Sequence, residues 1–450
     1  MEPLLAAEDG KAIRDPVWGY IQVPPPVLQL IDTEDFQRLR QVTQLGHVHL
    51  VYPGARHSRF EHSLGVYHLA KEFLRRLLRS DPPLRVTDED VRVFIAATLL
   101  HDIGHYPFSH TLEDLRPFFV PHEARARQII EDPDGAIHRV LVESFRVDPH
   151  RVANVIDYES CAQPVPPEDL LLANILSGTL DPDKIDYLLR DALFCGVPFG
   201  ESVNRDRLIA SIRFDPEQQR LAITSKGVSA VEALVFTNYL MFRNVYWHHA
   251  VRAATAMLKR AVQDILVHPG CSLAPSQVHA STEAELLALL QHEQQRLHLA
   301  GSAALLAGTI RRRLHKVGAV LHPGERSAEV MQIFGDLYRD PCRRRQREIA
   351  LCEELSPAVG RRLQDHEVLI DIPALTKAPQ ADLRVFYGQL GPVDGEEPLT
   401  LDNPAVSHLR SSLLLNFEEQ AKVIRIFCVD DPAVRAAVRA HAKALLTSRI

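Results

Sequence analysis

Long apolar runs are missing from this 450-residue chain, and none approaches the roughly 20 residues that a membrane-spanning helix needs. Cysteine is sparse. The six thiols (Cys161, Cys195, Cys271, Cys342, Cys352, Cys428) are scattered with no CxxC pair, which argues against a disulfide scaffold or a thiolate zinc site. They read as buried thiols in a reducing compartment. Neither sign of charge dominates: acids and bases are interspersed and the formal net charge is −7. That excludes a general nucleic-acid coat protein but leaves room for a local basic pocket. Internal repeats and low-complexity segments are absent. The opening MEPLLAAEDGKAIRD is acidic and short of apolar residues, unlike a signal peptide. With 46% apolar residues, the expectation is a cytoplasmic globular protein with no membrane partner.

Histidine, by contrast, is concentrated. Eleven of the 22 lie between His47 and His150, which places the chemistry in the first third. Helical spacing runs through 27–45, 62–79 and 88–103, the last opened by a Thr87–Asp90 capping box and closed by Gly104 and Pro107. Further helices are expected at 122–132, 136–147, 149–157 and 168–178, and a capped one in DPDKIDYLLRDALFCG. A hairpin at 211–225, a long helix at 228–266 and charged helices to residue 360 follow. The strand-like EVLIDIP, LRVFYG and KVIRIFCV come late. The fold class expected is mostly α, with a small α+β C-terminal part, divided at 1–255, 256–365 and 366–450.

The densest stretch is LLHDIGHYPFSH, residues 99–110. A lone His-Asp pair arises by chance in a chain this long, and His101 could simply satisfy a helix-end carbonyl. Context changes that. His62 starts one helix, His101 and Asp102 end another, and Asp183 stands in the first turn of a third. Asp183, Tyr187 and Asp191 fall within about 80° on one face of that helix, opposite the apolar Ile185, Leu188, Leu189 and Ala192. Three helix ends thus bring two imidazoles and two carboxylates that can converge. Such a set suits a divalent ion: manganese, iron, magnesium, cobalt, nickel or zinc. Four protein ligands on an octahedral ion leave positions open for water and substrate, which hydrolysis needs.

Together HSRFEHSLG, LLHDIGHYPFSH, PHE and DPDKIDYLLRD resemble the HD-domain phosphohydrolases. IRDPVWGYIQV, LIDTEDFQRLRQVTQLG and VYPGARHSRFEHS narrow the resemblance to the deoxynucleoside triphosphate (dNTP) triphosphohydrolase branch, over roughly residues 11–255. It implies a helical HD core at 1–255 with an N-terminal effector-type segment, a helical extension at 256–365 and the α+β region after it. It also implies cleavage of a dNTP at the α-phosphorus, giving a deoxynucleoside and tripolyphosphate, as part of dNTP catabolism.

By that resemblance His62, His101, Asp102 and Asp183 hold the metal. His110 contacts the attacked phosphate or acts as acid/base, His122 is the second histidine backed by a carboxylate, and Glu113 stands where the family often has aspartate. His105 completes the catalytic set. Arg59, Lys184 and Tyr187 match phosphate contacts, Gln44 and Leu45 the pair under base and deoxyribose, Asp191 and Tyr246 the sugar contacts. Where many relatives carry an arginine for the γ-phosphate, this chain has Asn238, and Arg243 or Arg252 on the same helix is the candidate to compensate. A second set, Lys11, Arg14, Asp32, Gln37, Arg40 and Arg207, matches the residues that grip a GTP, dGTP or dNTP effector and promote a homo-oligomer, dimer or tetramer. Two other readings stay open. One is a different HD phosphohydrolase, acting on a monophosphate, cyclic nucleotide or alarmone. The other is a non-catalytic nucleotide sensor or nucleic-acid binder, which predicts a lost metal ligand. The basic runs RRRLHK and RRRQRE read as solvated helix faces rather than nucleic-acid contacts.

Overall fold

The structure, a computed structural model, describes residues 10–80, 83–161, 164–178, 180–322, 328–373, 383–387, 399–407 and 422–447. Two antiparallel strands, β1 (Lys11–Asp15) and β2 (Gly19–Val23), precede a body of helices. The helix Arg59–Leu78 is its centre. Ser58 caps it, with the Ser58 amide donating to Glu61 Oε2 at 2.8 Å. Its inner stripe of Leu64, Leu69, Ala70, Phe73, Leu74 and Leu77 is fully buried, as the spacing requires. It packs on the helices Asp88–Leu100 and Pro182–Cys195. The first of these opens with the expected capping box, Thr87 Oγ1 accepting from the Asp90 amide at 3.1 Å. In the second, Asp181 accepts from the Lys184 amide, Pro182 takes the first turn and Gly196 closes the helix at φ 66°.

Three expected helices are interrupted. Residues 27–45 form Pro25–Ile31, Glu34–Arg38 and a single tight turn, Leu39–Gln41, because Thr33 turns extended and restarts the chain. Residues 136–147 end as a wide turn at Leu141–Phe145, with Arg146 left-handed. Residues 228–266 split into Val228–Met241, a wide turn Phe242–Tyr246, and His249–Leu266. His248 is extended there and its ring Nδ1 accepts from the Ala250 amide, a side-chain cap that periodicity does not reveal.

The sheets cross the expected segment boundaries. β3 (Ile212–Asp215) and β4 (Arg220–Thr224) form the hairpin, and β7 (Arg384–Phe386) joins β4 in parallel, with β8 (Leu399–Thr400) outside it. The second sheet has the order β5-β9-β6, with β5 (Lys316–Leu321) and β6 (Val368–Asp371) both antiparallel to β9 (Ile424–Cys428). So β5, from the middle segment, belongs with two late strands, and β7 belongs with the body. Gly388 of the LRVFYG run lies outside the described residues. The run RRRLHK is a turn leading into β5 rather than a helix, and in RRRQRE the side chains of Arg344 and Arg347 are buried. They are not solvated helix faces. No described helix is long and apolar enough to cross a membrane.

Candidate active site

One cavity of about 480 Å³ opens where the three helix ends meet. His62 projects from the second turn of its helix and is 1% exposed, and His101 and Asp102 follow the end of Asp88–Leu100. Asp183 sits in the first turn of Pro182–Cys195. His62 Nε2 lies 3.3 Å from His101 Nε2, 3.0 Å from Asp183 Oδ1 and 3.6 Å from Asp102 Oδ2. His101 Nε2 lies 3.5 Å from Asp102 Oδ1 and 3.8 Å from Asp183 Oδ1. Ligand atoms of His62, His101 and Asp102 therefore lie within 4.8 Å of one another, and Asp183 Oδ1 approaches both imidazoles.

The opposite ring nitrogens decide what this cluster holds. His62 Nδ1 meets Asp186 Oδ2 at 2.8 Å and His101 Nδ1 meets the Thr98 carbonyl at 2.9 Å. Both partners only accept, so both Nδ1 atoms carry hydrogen and both Nε2 lone pairs turn inward. Two inward lone pairs beside two carboxylates need a cation, and the donor set fits a divalent one. A proton is the substitute. Burial disfavours a charged His62, but Asp183, Asp186 and Asp102 overcome it and push its pKa up to about 10. A bound divalent ion would supply the positive charge that this proton otherwise carries.

Behind His62 stands a chain of charges. Arg190 donates to both oxygens of Asp186 at 2.8 and 2.9 Å and reaches Asp15 Oδ2 of β1 at 2.8 Å. Asp15 in turn accepts from the Val17 and Trp18 amides, and the Trp18 indole donates to Asp186. Gly65 makes room: a Cβ there would stand 1.8 Å from Asp186 Oδ1.

A second cluster adjoins the first. His105 Nε2 lies 3.2 Å from Asp102 Oδ1, and its ring stacks on His122 at 3.8 Å. Glu113 faces His105, His110 and His122 at 3.3, 3.5 and 3.2 Å. The His105–Glu113 approach lacks hydrogen-bond alignment. Burial, with Arg59 and His122 nearby, lowers the His105 pKa to about 3, so that ring is neutral. Burial also opposes charge on Glu113 and His122, yet His110 first, with the His105 and His122 rings, holds Glu113 well below the carboxylate range, and Glu113 in turn raises His122. His110 stands at the rim with its side chain 68% exposed.

Of the expected substrate residues, Arg59, Gln44, Leu45, Tyr187, Asp191 and Tyr246 line the cavity. Arg59 is pinned to Asp102 at 2.6 Å and to Ser109 at 3.1 Å. Lys184 does not line it: its Nζ is tied to Asp181 and the Gly178 carbonyl, both at 2.6 Å. Asn238 and Arg243 are also outside the lining, whereas Arg252 is part of it. Asp371 of β6 holds Arg252 through two bonds, at 2.9 and 2.5 Å, and Arg252 lies over the Trp247 ring at 4.0 Å.

The expected effector residues do not form one bonded group among the described residues. Gln37 bonds Arg40 at 2.7 Å and Arg40 lies over Phe60, while the exposed Asp32 sits on the other side of the Thr33 break, at the end of Pro25–Ile31. Arg14 of β1 lies over Tyr20, Lys11 is exposed at the start of β1, and Arg207 donates to the Lys226 carbonyl.

Asp186, Arg190, Asp15, His57, His47 and Asp371 were missed from the sequence. Asp186 and Arg190 are an i, i+4 pair inside a quoted motif, a signal that was available. The others act through tertiary contacts. His47 lines the cavity, stacks on Phe108 at 4.8 Å, and neither of its ring nitrogens has a hydrogen-bond partner.

Comparison with known proteins agrees with this layout. A family model for the HD domain matches residues 59–175, and one for the HD-associated region matches 203–393. The uncharacterised protein YwfO of Bacillus subtilis is 35% identical over 251 residues, covering 56% of this chain and 54% of that one. The deoxynucleoside triphosphate triphosphohydrolase SAMHD1 of Gallus gallus is 30% identical over 280 residues, 56% of this chain and 45% of that one. This chain thus spans about half the length of these relatives. A hypothetical protein from Aquifex aeolicus shares the fold over 97% of this chain and 99% of its own, with TM-score 0.65 and 24% identity.

Proposed function

Because the chain carries an HD domain and the HD-associated region, and so belongs to the HD-domain phosphohydrolase superfamily, we propose that it hydrolyses dNTPs to deoxynucleoside and tripolyphosphate. The observation that carries this reading is the joining, in one cavity, of His62, His101, Asp102 and Asp183, the rings of His105, His110 and His122 with Glu113 behind them, and a mixed wall of Leu45, Tyr187, Asp191 and Tyr246. His62, His101, Asp102 and Asp183 would hold a divalent ion, which supplies charge that polarises a phosphoryl oxygen and acidifies water. The chain's own groups do the rest. Arg59, held by Asp102 and Ser109, presents a fixed positive charge to the phosphates. Attack of a water oxygen on the α-phosphorus breaks the bond to the 5′ oxygen, and that oxygen needs a proton. His110, at the rim and coupled to Glu113, is placed to give it. Tyr246 and Tyr187 close the sugar end against an added hydroxyl.

One observation favours a second reading, another HD-type nucleotide phosphohydrolase. Lys184 is committed to Asp181, and the arginines in the cavity wall are Arg59 and Arg252, a small complement for a triphosphate. The test is to incubate the purified protein with each dNTP and manganese and resolve the products by ion-exchange chromatography. Tripolyphosphate is expected. Pyrophosphate or orthophosphate, or turnover of monophosphates alone, would transfer the assignment to the second reading. We further propose regulation by a guanine or dNTP effector at the Asp32–Gln37–Arg40 face, with Lys11, Arg14 and Arg207 joining it in a homo-oligomer. Light scattering and turnover with and without GTP, in wild type and Asp32→Ala, check this, and nucleotide-independent mass and activity would refute it.

A further inference from the structure

His57 takes no part in the functions described so far, yet it is 2% exposed and sits directly behind the cavity wall. Its loop descends onto the helix Pro182–Cys195 at Gly54, where a Cβ would stand 2.5 Å from the Phe194 carbonyl, so only glycine permits the approach. The imidazole then stacks on the Phe194 ring, 4.6 Å between centroids. Its Nε2 lies 2.7 Å from Asp191 Oδ1. A carboxylate oxygen only accepts beside a donor, so Nε2 carries the hydrogen, and Nδ1 is left with no partner. The other oxygen, Oδ2, accepts from the Tyr246 hydroxyl at 2.6 Å. The His57 backbone serves the same cavity, since its carbonyl accepts from the Gln44 amide at 3.0 Å.

Asp191 is thus held by one donor on each oxygen and cannot rotate. Each oxygen keeps a lone pair. Asp191 lines the cavity beside Tyr187 and Tyr246, so a ligand hydroxyl is the donor that fits there.

We propose that His57 is a positioning residue: through Asp191 it fixes the acceptor for a sugar hydroxyl of the substrate. This rests on the nucleotide reading above. A contact of that kind is made in the bound ground state as well as the transition state, so its loss falls on KM more than on kcat.

The experiment compares wild type, His57→Leu and His57→Gln on a dNTP and on its 2′,3′-dideoxy counterpart, with bound metal measured in each. His57→Leu should lose about tenfold in kcat/KM on the dNTP, the scale of one hydrogen bond to a charged group, and change little on the dideoxy substrate. His57→Gln, which can offer an amide N–H to Asp191, should recover part of the loss. Metal content should not change. His57→Phe, which keeps a ring to stack on Phe194 but offers Asp191 no hydrogen, should show the same selective loss and keeps the test decisive if His57→Leu does not fold. Equal losses on both substrates, or no loss on either, overturn the role of His57 and leave the nucleotide reading intact. A wild type that turns over no nucleotide at all overturns both.

Discussion

The two histidine clusters share a cavity and are built in opposite ways. In the first, each imidazole has its own backing acceptor on the far nitrogen, Asp186 for His62 and the Thr98 carbonyl for His101, so the near nitrogens are fixed as lone pairs. In the second, one carboxylate, Glu113, faces three rings but hydrogen-bonds only His122, and the rings differ in charge preference: His105 is held neutral while His122 is raised. The first arrangement holds an ion still. The second gathers three rings around a single carboxylate. Ligand fixation comes from one acceptor per ring, whereas rings that share one acceptor are left without a fixed partner each.

That contrast can be broken from either side. The largest effect is expected at the ion-holding cluster: His101→Ala or Asp183→Ala should abolish hydrolysis and bound metal, with circular dichroism unchanged. Wild-type turnover in the His101→Ala, Asp102→Ala double variant would show the cluster to be idle. Next, His110→Ala should reduce turnover by on the order of a hundredfold while metal content stays at the wild-type level. Metal loss in that variant would erase the distinction between the clusters. A smaller effect should follow Asp186→Asn, which keeps the shape but weakens the acceptor behind His62: about 10- to 100-fold in metal affinity by chelator competition. The smallest is a control far from both clusters. Thr87→Ala removes a helix cap worth about 1 kcal/mol, so Tm should fall slightly with metal content and kcat unchanged.

Legibility in the sequence followed the range of the interaction. The helices that carry His62, His101 and Asp183 were readable because apolar period, capping box and glycine stop are all local, and so was the presence of the late strands, though not their pairing, since β7 joins β4 while β9 lies between β5 and β6. The break at His248 was not, because a side-chain cap inside an apolar run leaves the period intact, and neither was the break at Thr33, where the backbone turns extended without a side-chain cap on the next helix. The four candidate metal ligands were accessible because helix ends place them. Their supports were not: Asp15 reaches Arg190 across 175 positions, and Asp371 reaches Arg252 across 119. Lys184 illustrates the converse. It sits inside a quoted motif, yet Asp181 three residues earlier captures its ammonium, a local competition that the motif does not display.

The place of β9 bears on how this chain can be cut and rebuilt. The stretch matched as the HD-associated region stops at residue 393, while the strand at the middle of the β5-β9-β6 sheet begins at Ile424. A chain trimmed to the matched region would strand β5 and β6 without the partner that lies between them. Asp371, the last residue of β6, would lose its frame, and the guanidinium it anchors at the cavity would be released. Anyone grafting this catalytic body onto another scaffold, or shortening it for efficiency, would therefore have to carry along a strand that sequence likeness leaves behind.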